Sequence, residues 1–191
     1  MKTGFILSIV LGTALAIAGG VRAEIVGPRI ERAATEAQMR ASLHSVKFVD
    51  EANRPLDLAA IIASGKPTLV SLWAHWCPIC QSELPGFRAI AQACPNRWNI
   101  VFVSARHDDY AKDLEKFNRQ GLPWPLYNVS RTMLEDGAPY DTYRAFTGAT
   151  TTGQVMTPLH YFVDTRGLVT KIVNARLDLS TPQALALVCG K

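Results

Sequence analysis

Thr68-Leu69-Val70-Ser71-Leu72-Trp73-Ala74-His75-Trp76-Cys77-Pro78-Ile79-Cys80 is the stretch that decides the fold. Its first six residues form a near-continuous apolar run of strand length, the pattern of a parallel strand buried on both faces. The chain then passes directly into a helix whose first turn holds Cys77, Pro78 and Cys80. A cysteine at a helix N-terminus faces free backbone N–H groups and the positive end of the helix dipole, and both favour thiolate over thiol. Cys77 is therefore the expected nucleophile and the exposed, more acidic thiol. Cys80 lies one turn deeper on the same face, buried, where it can attack a mixed disulfide formed at Cys77. Pro78 suits a first helical turn and narrows the geometries open to the pair. The competing chemistry for a lone Cys-x-x-Cys is half a zinc site. No second Cys-x-x-Cys and no closely spaced His pair completes four ligands, so no metal and no cofactor are expected.

Outward from this stretch, residues 98–104 repeat the buried-strand pattern, residues 109–120 read as a helix, and Gly121 stops it. Strand, helix, strand, helix in that order implies an α/β fold with a parallel core. Upstream, residues 46–49 alternate, residues 51–54 turn and residues 55–57 return, which suggests a small N-terminal hairpin ahead of a short helix over 58–64. Downstream, Pro123 and Pro125 read as loop, and a short helix is expected around 140–146. Residues 159–163 and 168–173 form strands joined by a turn at Asp164-Thr165-Arg166-Gly167. Thr181-Pro182 then starts a last helix that Gly190 closes.

The 191 residues are 48% hydrophobic and 19% charged, a globular composition for one domain. The first 23 residues have their own character. Lys2 precedes an apolar run from Phe5 to Ala18, Gly19-Gly20 breaks any helix, and Val21-Arg22-Ala23 presents small residues at a cleavage position. The expectation is a signal peptide over 1–23, with retention as an anchor through the uncharged residues 3–21 as the alternative. Either places the rest of the chain outside the cytoplasm, in a periplasm or an equivalent exported location. No cysteine precedes Cys77, so a lipid-anchored N-terminus is excluded. Residues 24–45 read as a loosely held, Ala-rich extension, and 46–191 as the folded domain. The net charge of +4 falls to +2 without the first 23 residues, which gives no footing for nucleic acid or an anionic membrane as partner.

Trp76-Cys77-Pro78-Ile79-Cys80 followed by Ser82-Glu83-Leu84-Pro85 resembles the active-site helix of thioredoxin-like thiol:disulfide oxidoreductases of the TlpA/ResA/DsbE type. Gly65-Lys66-Pro67 before the strand fits the same family, as does Thr157-Pro158-Leu159-His160-Tyr161-Phe162-Val163-Asp164 followed by Gly167. The resemblance spans residues 46–187. It implies a thioredoxin-like fold with a central mixed sheet flanked by helices, an N-terminal hairpin and an inserted central strand and helix. It also implies a cis bond before Pro158, where a plain trans strand-start proline is the alternative, and a Thr157 backbone that pairs with an extended substrate segment. Trp76 would form part of an apolar platform around Cys77. Glu83 would assist proton movement at the buried thiol; a solvent-facing first-turn glutamate is the other reading of that residue. The implied activity is thiol–disulfide exchange on exported partner proteins, in the reducing direction, with a membrane thiol reductant restoring the dithiol. Apocytochrome c or a copper-site protein is the kind of partner the resemblance suggests.

Two departures stand out. His75 occupies a position where the family often has a small polar residue, and a surface role or tuning of the Cys77 thiolate are both open. Cys80 and Pro158 lie 78 positions apart, and the loop 148–154 has no assigned role. A peroxiredoxin-like antioxidant shares the fold but needs Thr or Ser three residues before its cysteine, where this chain has Ala74. A copper-binding metallochaperone of thioredoxin-like kind uses a wider cysteine gap. Finally, Cys80, Leu84, Phe87, Ala91 and Cys94 share one helical stripe. In the thioredoxin topology the helix carrying them and the C-terminal helix end at the same end of the sheet, which would bring Cys94 and Cys189 together as a structural disulfide. Helix lengths oppose this: about 15 residues follow Cys80 in one helix and about 8 precede Cys189 in the other. The ends would then differ by about 10 Å unless the second helix starts lower. Two separate buried thiols remain the alternative.

Overall fold

Residues 34–150 and 152–190 are described by the computed structural model; the expected signal or anchor segment and residues 24–33 lie outside them. The strands are β1 (Phe48–Val49), β2 (Thr68–Trp73), β3 (Asn99–Ser104), β4 (Leu126–Val129), β5 (Leu159–Val163) and β6 (Val169–Val173). The helices are α1 (Glu36–Leu43), α2 (Leu58–Ile62), α3 (Pro78–Ala93), α4 (Tyr110–Asn118), α5 (Ala138–Thr147) and α6 (Pro182–Cys189). The strands form one mixed sheet in the order β1-β4-β3-β2-β5-β6. β2 pairs in parallel with β3 and β3 with β4, whereas β5 runs antiparallel to both β2 and β6.

Every residue of β2 is buried, which is why its sequence is apolar without alternation. On one face Phe102 meets Phe87 of α3 at 4.8 Å and Phe117 of α4 at 4.9 Å, and Trp73 meets Phe117 at 5.3 Å. On the other face Phe146 of α5 contacts Phe48 and Tyr161, each at 5.3 Å. Such ring pairs add about 0.5–1.5 kcal/mol each beyond their area burial. The sheet is thereby packed on both faces, and Trp73 fixes the C-terminal end of β2 where the chain passes to α3.

The structure corrects one expectation. Residues 34–45 are not loosely held. Thr35 caps α1 in a capping box with Gln38, and Met39 and Leu43, four apart on one face, are fully buried beside α5. Arg40 also hydrogen-bonds the Val169 carbonyl of β6, so the packed unit begins ahead of residue 46. The N-terminal hairpin is present and small: Val49 bridges Pro55, the Asp50 N–H donates to the Arg54 carbonyl and the Leu56 N–H to the Phe48 carbonyl, each at 2.9 Å. The main partner of β1 is β4. The prolines at 123 and 125 lead into β4, a four-residue strand too short and mixed for its periodicity to mark. It is the inserted strand that the resemblance implied.

Candidate functional site

The chain leaves β2 at Trp73 and reaches α3 through Ala74, His75 and Trp76. Cys77 is the N-cap of α3, in extended conformation, and its Sγ accepts the Cys80 N–H at 3.1 Å. Pro78 takes a first-turn position, where its missing N–H costs nothing. Cys77 and Cys80 are joined as a disulfide with Cα atoms 5.3 Å apart. In this oxidised state Cys77 is 4% exposed, against 1% for Cys80. Trp76, Pro78 and Ile79 carry the exposed surface around the pair. The bond sits against the free N–H groups of α3, so opening it would leave a thiolate at Cys77 facing the positive end of the helix.

The Thr157–Pro158 peptide bond is cis. Leu159 pairs with Leu72, so Thr157 and Pro158 stand at the end of the sheet from which β2 runs into the Cys77 turn. Pro158 is buried, its carbonyl accepting from the Asn174 side-chain amide at 2.7 Å, and Thr157 is partly open.

Glu83 is not the solvent-facing glutamate of the alternative reading. It is 3% exposed, one turn beyond Cys80. Its Oε1 accepts the Leu177 N–H at 2.6 Å and lies 3.1 Å from His160 Nε2. His160, itself fully buried, reaches Ser71 Oγ through Nδ1 at 3.1 Å. His75 likewise is more than a surface residue. Its backbone N–H donates to Asp113 Oδ1 at 2.7 Å, and its Nδ1 lies 2.7 Å from the same oxygen. Asp113 is fully buried on α4, and its Oδ2 accepts from Ser104 at 2.6 Å. The His75 carbonyl accepts from Gln81 at 2.8 Å and Lys116 at 2.9 Å, so the turn before Cys77 is tied on both sides. Neither the His160–Ser71 pairing nor Asp113 was assigned a role from sequence.

Trp76 is 39% exposed; its Nε1 donates to Asp109 at 2.9 Å and the Arg106 guanidinium lies 5.1 Å over its ring. Both partners line a cavity of about 360 Å³ that also takes in Tyr140, Arg144, Gly153 and Val155. The loop 148–154, unassigned in the sequence, is therefore one wall of a cavity beside Trp76. Tyr143, also in that wall, has its phenol pushed up to about 12 by burial.

At the far end of α3, Cys94 and Cys189 are bonded, with Cα atoms 5.6 Å apart. The length objection falls because α6 does start lower. The segment ahead of it crosses α3 at Gly86, where an added Cβ would lie 2.8 Å from the Leu179 Cβ. Only glycine lets the chain run that close, and from there both helices need about two turns to reach their cysteines. Among the described residues no group of three or more His, Cys, Asp or Glu could hold a metal ion, and no helix is long and apolar enough to cross a membrane.

Comparison with known proteins follows the same outline. The thioredoxin-like protein HCF164 of Oryza sativa subsp. japonica is 26% identical over 87 residues, 46% of this chain and 33% of that protein. Soluble secreted antigen MPT53 of Mycobacterium tuberculosis is 32% identical over 85 residues, 39% of this chain and 47% of that protein. The chain thus spans between a third and a half of these relatives' length. The crystal structure of a thiol:disulfide interchange protein of the thioredoxin family from Chlorobium tepidum superposes with a TM-score of 0.52 at 19% identity, covering 75% of this chain and 90% of that one. The fold is thioredoxin-like. The AhpC/TSA family pattern matches residues 34–172, from just ahead of α1 through β6, and the chain belongs to that family.

Proposed function

We propose that the chain is an exported thiol–disulfide oxidoreductase that reduces disulfides of partner proteins through Cys77 and Cys80. The observation that carries this is the Cys77–Cys80 bond capping α3, at the end of the sheet where the cis Thr157–Pro158 bond also lies. In the reduced form the Cys77 thiolate attacks one sulfur of the partner disulfide; the other partner sulfur leaves as thiolate and takes a proton from water. Cys80 then passes its thiol proton to Glu83 and attacks Cys77 Sγ. The second partner sulfur leaves, and the Cys77–Cys80 disulfide remains. Two electrons and two protons from a membrane thiol reductant restore the dithiol.

Trp76 supplies apolar contact to the partner, and the Thr157 backbone pairs with its extended segment as an added strand. Cys94–Cys189 is a structural bond outside this cycle. Export rests on the reading of residues 1–23 and on the secreted mycobacterial relative. Apocytochrome c or a copper-site protein is the partner class that the resemblance favours. Ala74, in place of the hydroxyl residue three positions before Cys77, argues against peroxidase chemistry, and the two-residue cysteine gap against copper carriage.

The test is reduction of insulin disulfides in the presence of dithiothreitol. The intact protein should accelerate it, and Cys77→Ser should abolish the acceleration while keeping the fold. A folded, reduced protein with no effect would overturn the proposal.

A further inference from the structure

His160 is a charge-capable side chain in the middle of a buried strand, fully buried and two residues beyond Pro158. It stands directly opposite Ser71 in the β5–β2 pairing and faces α3, while its neighbour Tyr161 faces α5. Ser71 Oγ, His160 Nδ1, His160 Nε2 and Glu83 Oε1 form a continuous chain with links of 3.1 Å, which the Leu177 N–H closes at 2.6 Å. Glu83 Oε1 already accepts the Leu177 N–H. The neutral tautomer that satisfies every group has Nε2–H donating to Oε1 and the Ser71 hydroxyl donating to Nδ1.

Both hydrogen bonds fall on Oε1, which leaves Oε2 to exchange a proton. We infer that His160 is a positioning residue for the resolving step: fixed by Ser71, it holds Glu83 as the proton acceptor for Cys80. This rests on the oxidoreductase reading above. The balance is simple. The Cys80 thiol proton moves to Glu83 Oε2, the Cys80 sulfur forms its bond to Cys77 Sγ, and the bond from Cys77 Sγ to the partner sulfur breaks. Oε1 stays an acceptor throughout, so no group of the chain must turn. A donor on Oε1 stabilises the carboxylate, and removing it makes Glu83 hold a proton more tightly.

The groups facing this chain are few. β2 contributes Ser71, β5 His160, α3 Glu83, with Cys80 one turn earlier on the same helix, and the segment before α6 the Leu177 N–H; Arg176 and Asp178 on either side of Leu177 are exposed. Glu83 and His160 are the titratable side chains that meet here, so the acid limb of the resolving step belongs to this pair, and replacing His160 isolates the part of Glu83.

The experiment mixes reduced full-length protein with 5,5′-dithiobis(2-nitrobenzoate) in a stopped-flow instrument across mildly acidic pH. A first thionitrobenzoate is released by Cys77 and a second by Cys80, so the two steps separate in one trace. His160→Leu should leave the first phase unchanged and move the acid limb of the second up by about one pH unit. That is about tenfold slower on the limb, the worth of one hydrogen bond to a charged group. His160→Gln, whose amide can donate to Oε1, should restore the limb. Ser71→Ala, a smaller lesion at the far end of the chain, should shift it the same way by less, and serves where His160→Leu does not fold. An unchanged limb in His160→Leu or Ser71→Ala overturns the inference, as does a His160→Gln protein that behaves like the leucine variant. A wild-type trace with no second phase would instead overturn the oxidoreductase reading itself.

Discussion

Removing the Cys94–Cys189 bond should destabilise the domain by an amount set by the loop it closes. The two cysteines lie 95 positions apart, which on the chain-entropy relation corresponds to about 4.7 kcal/mol. The Cys77–Cys80 bond closes a loop of three positions and contributes only about 1.6 kcal/mol on the same relation. Each alanine also removes a buried or half-buried sulfur, on the order of 1 kcal/mol. Cys94→Ala and Cys189→Ala should thus each cost most of the total, and the double variant little more than either. Other ties survive at that end: Trp98 Nε1 still donates to the Val188 carbonyl at 3.0 Å, so α6 stays docked and the variants fold. For a domain of this size the loss corresponds to roughly 10–20 °C in Tm, read by circular dichroism under non-reducing conditions. Additivity is the decisive observation. Two single variants costing about 1 kcal/mol each, and a double variant costing their sum, would mean that the bond contributes nothing and refute the reasoning.

Other consequences can be checked in parallel. Asp113→Ala leaves the His75 N–H groups without their acceptor, while the Ser104 hydroxyl keeps the Arg106 carbonyl; a loss of about 2–3 kcal/mol in urea unfolding is expected, with slower alkylation of Cys77 in the reduced protein. Trp76→Ala removes an exposed ring, so KM for a protein disulfide should rise several-fold while reaction with a small aromatic disulfide stays near wild type. Burial raises both the Tyr110 and Tyr143 phenols from 10 to about 12, so the folded state holds their protons where the unfolded chain loses them. Their contribution to stability is complete below pH 10 and is lost as pH rises towards 12, and a spectrophotometric titration should show both still protonated near pH 11.

What could be read from the sequence was local. The run from Thr68 to Trp73 and the Cys-x-x-Cys after it carry their meaning within a dozen residues, so strand, helix and the bonded cysteine pair at its start were all legible. The pairing of Cys94 with Cys189 was legible as a stripe and a topology but not as a distance, because the low start of α6 depends on glycine at 86, a tertiary contact. Glu83 and His160 are separated by 77 positions, and only the antiparallel register of β5 on β2 brings them together. A signal was present: His160 is the polar residue in an otherwise apolar strand, and such residues are buried only with partners. Asp113 carried the same kind of signal, an acid four residues before Phe117 on the buried stripe of α4. The docking of α1 was missed because its apolar face is two residues wide, too narrow for periodicity to reveal.

The central claim is that Cys77 attacks and Cys80 resolves. It is tested most directly by incubating the folded Cys80→Ser and Cys77→Ser variants, fully reduced, with a disulfide-bonded protein and locating any mixed disulfide by mass spectrometry of non-reduced peptides. The account predicts that Cys80→Ser accumulates the partner on Cys77 and that Cys77→Ser captures little. Accumulation on Cys80 in the Cys77→Ser variant, with none on Cys77 in the other, would contradict it.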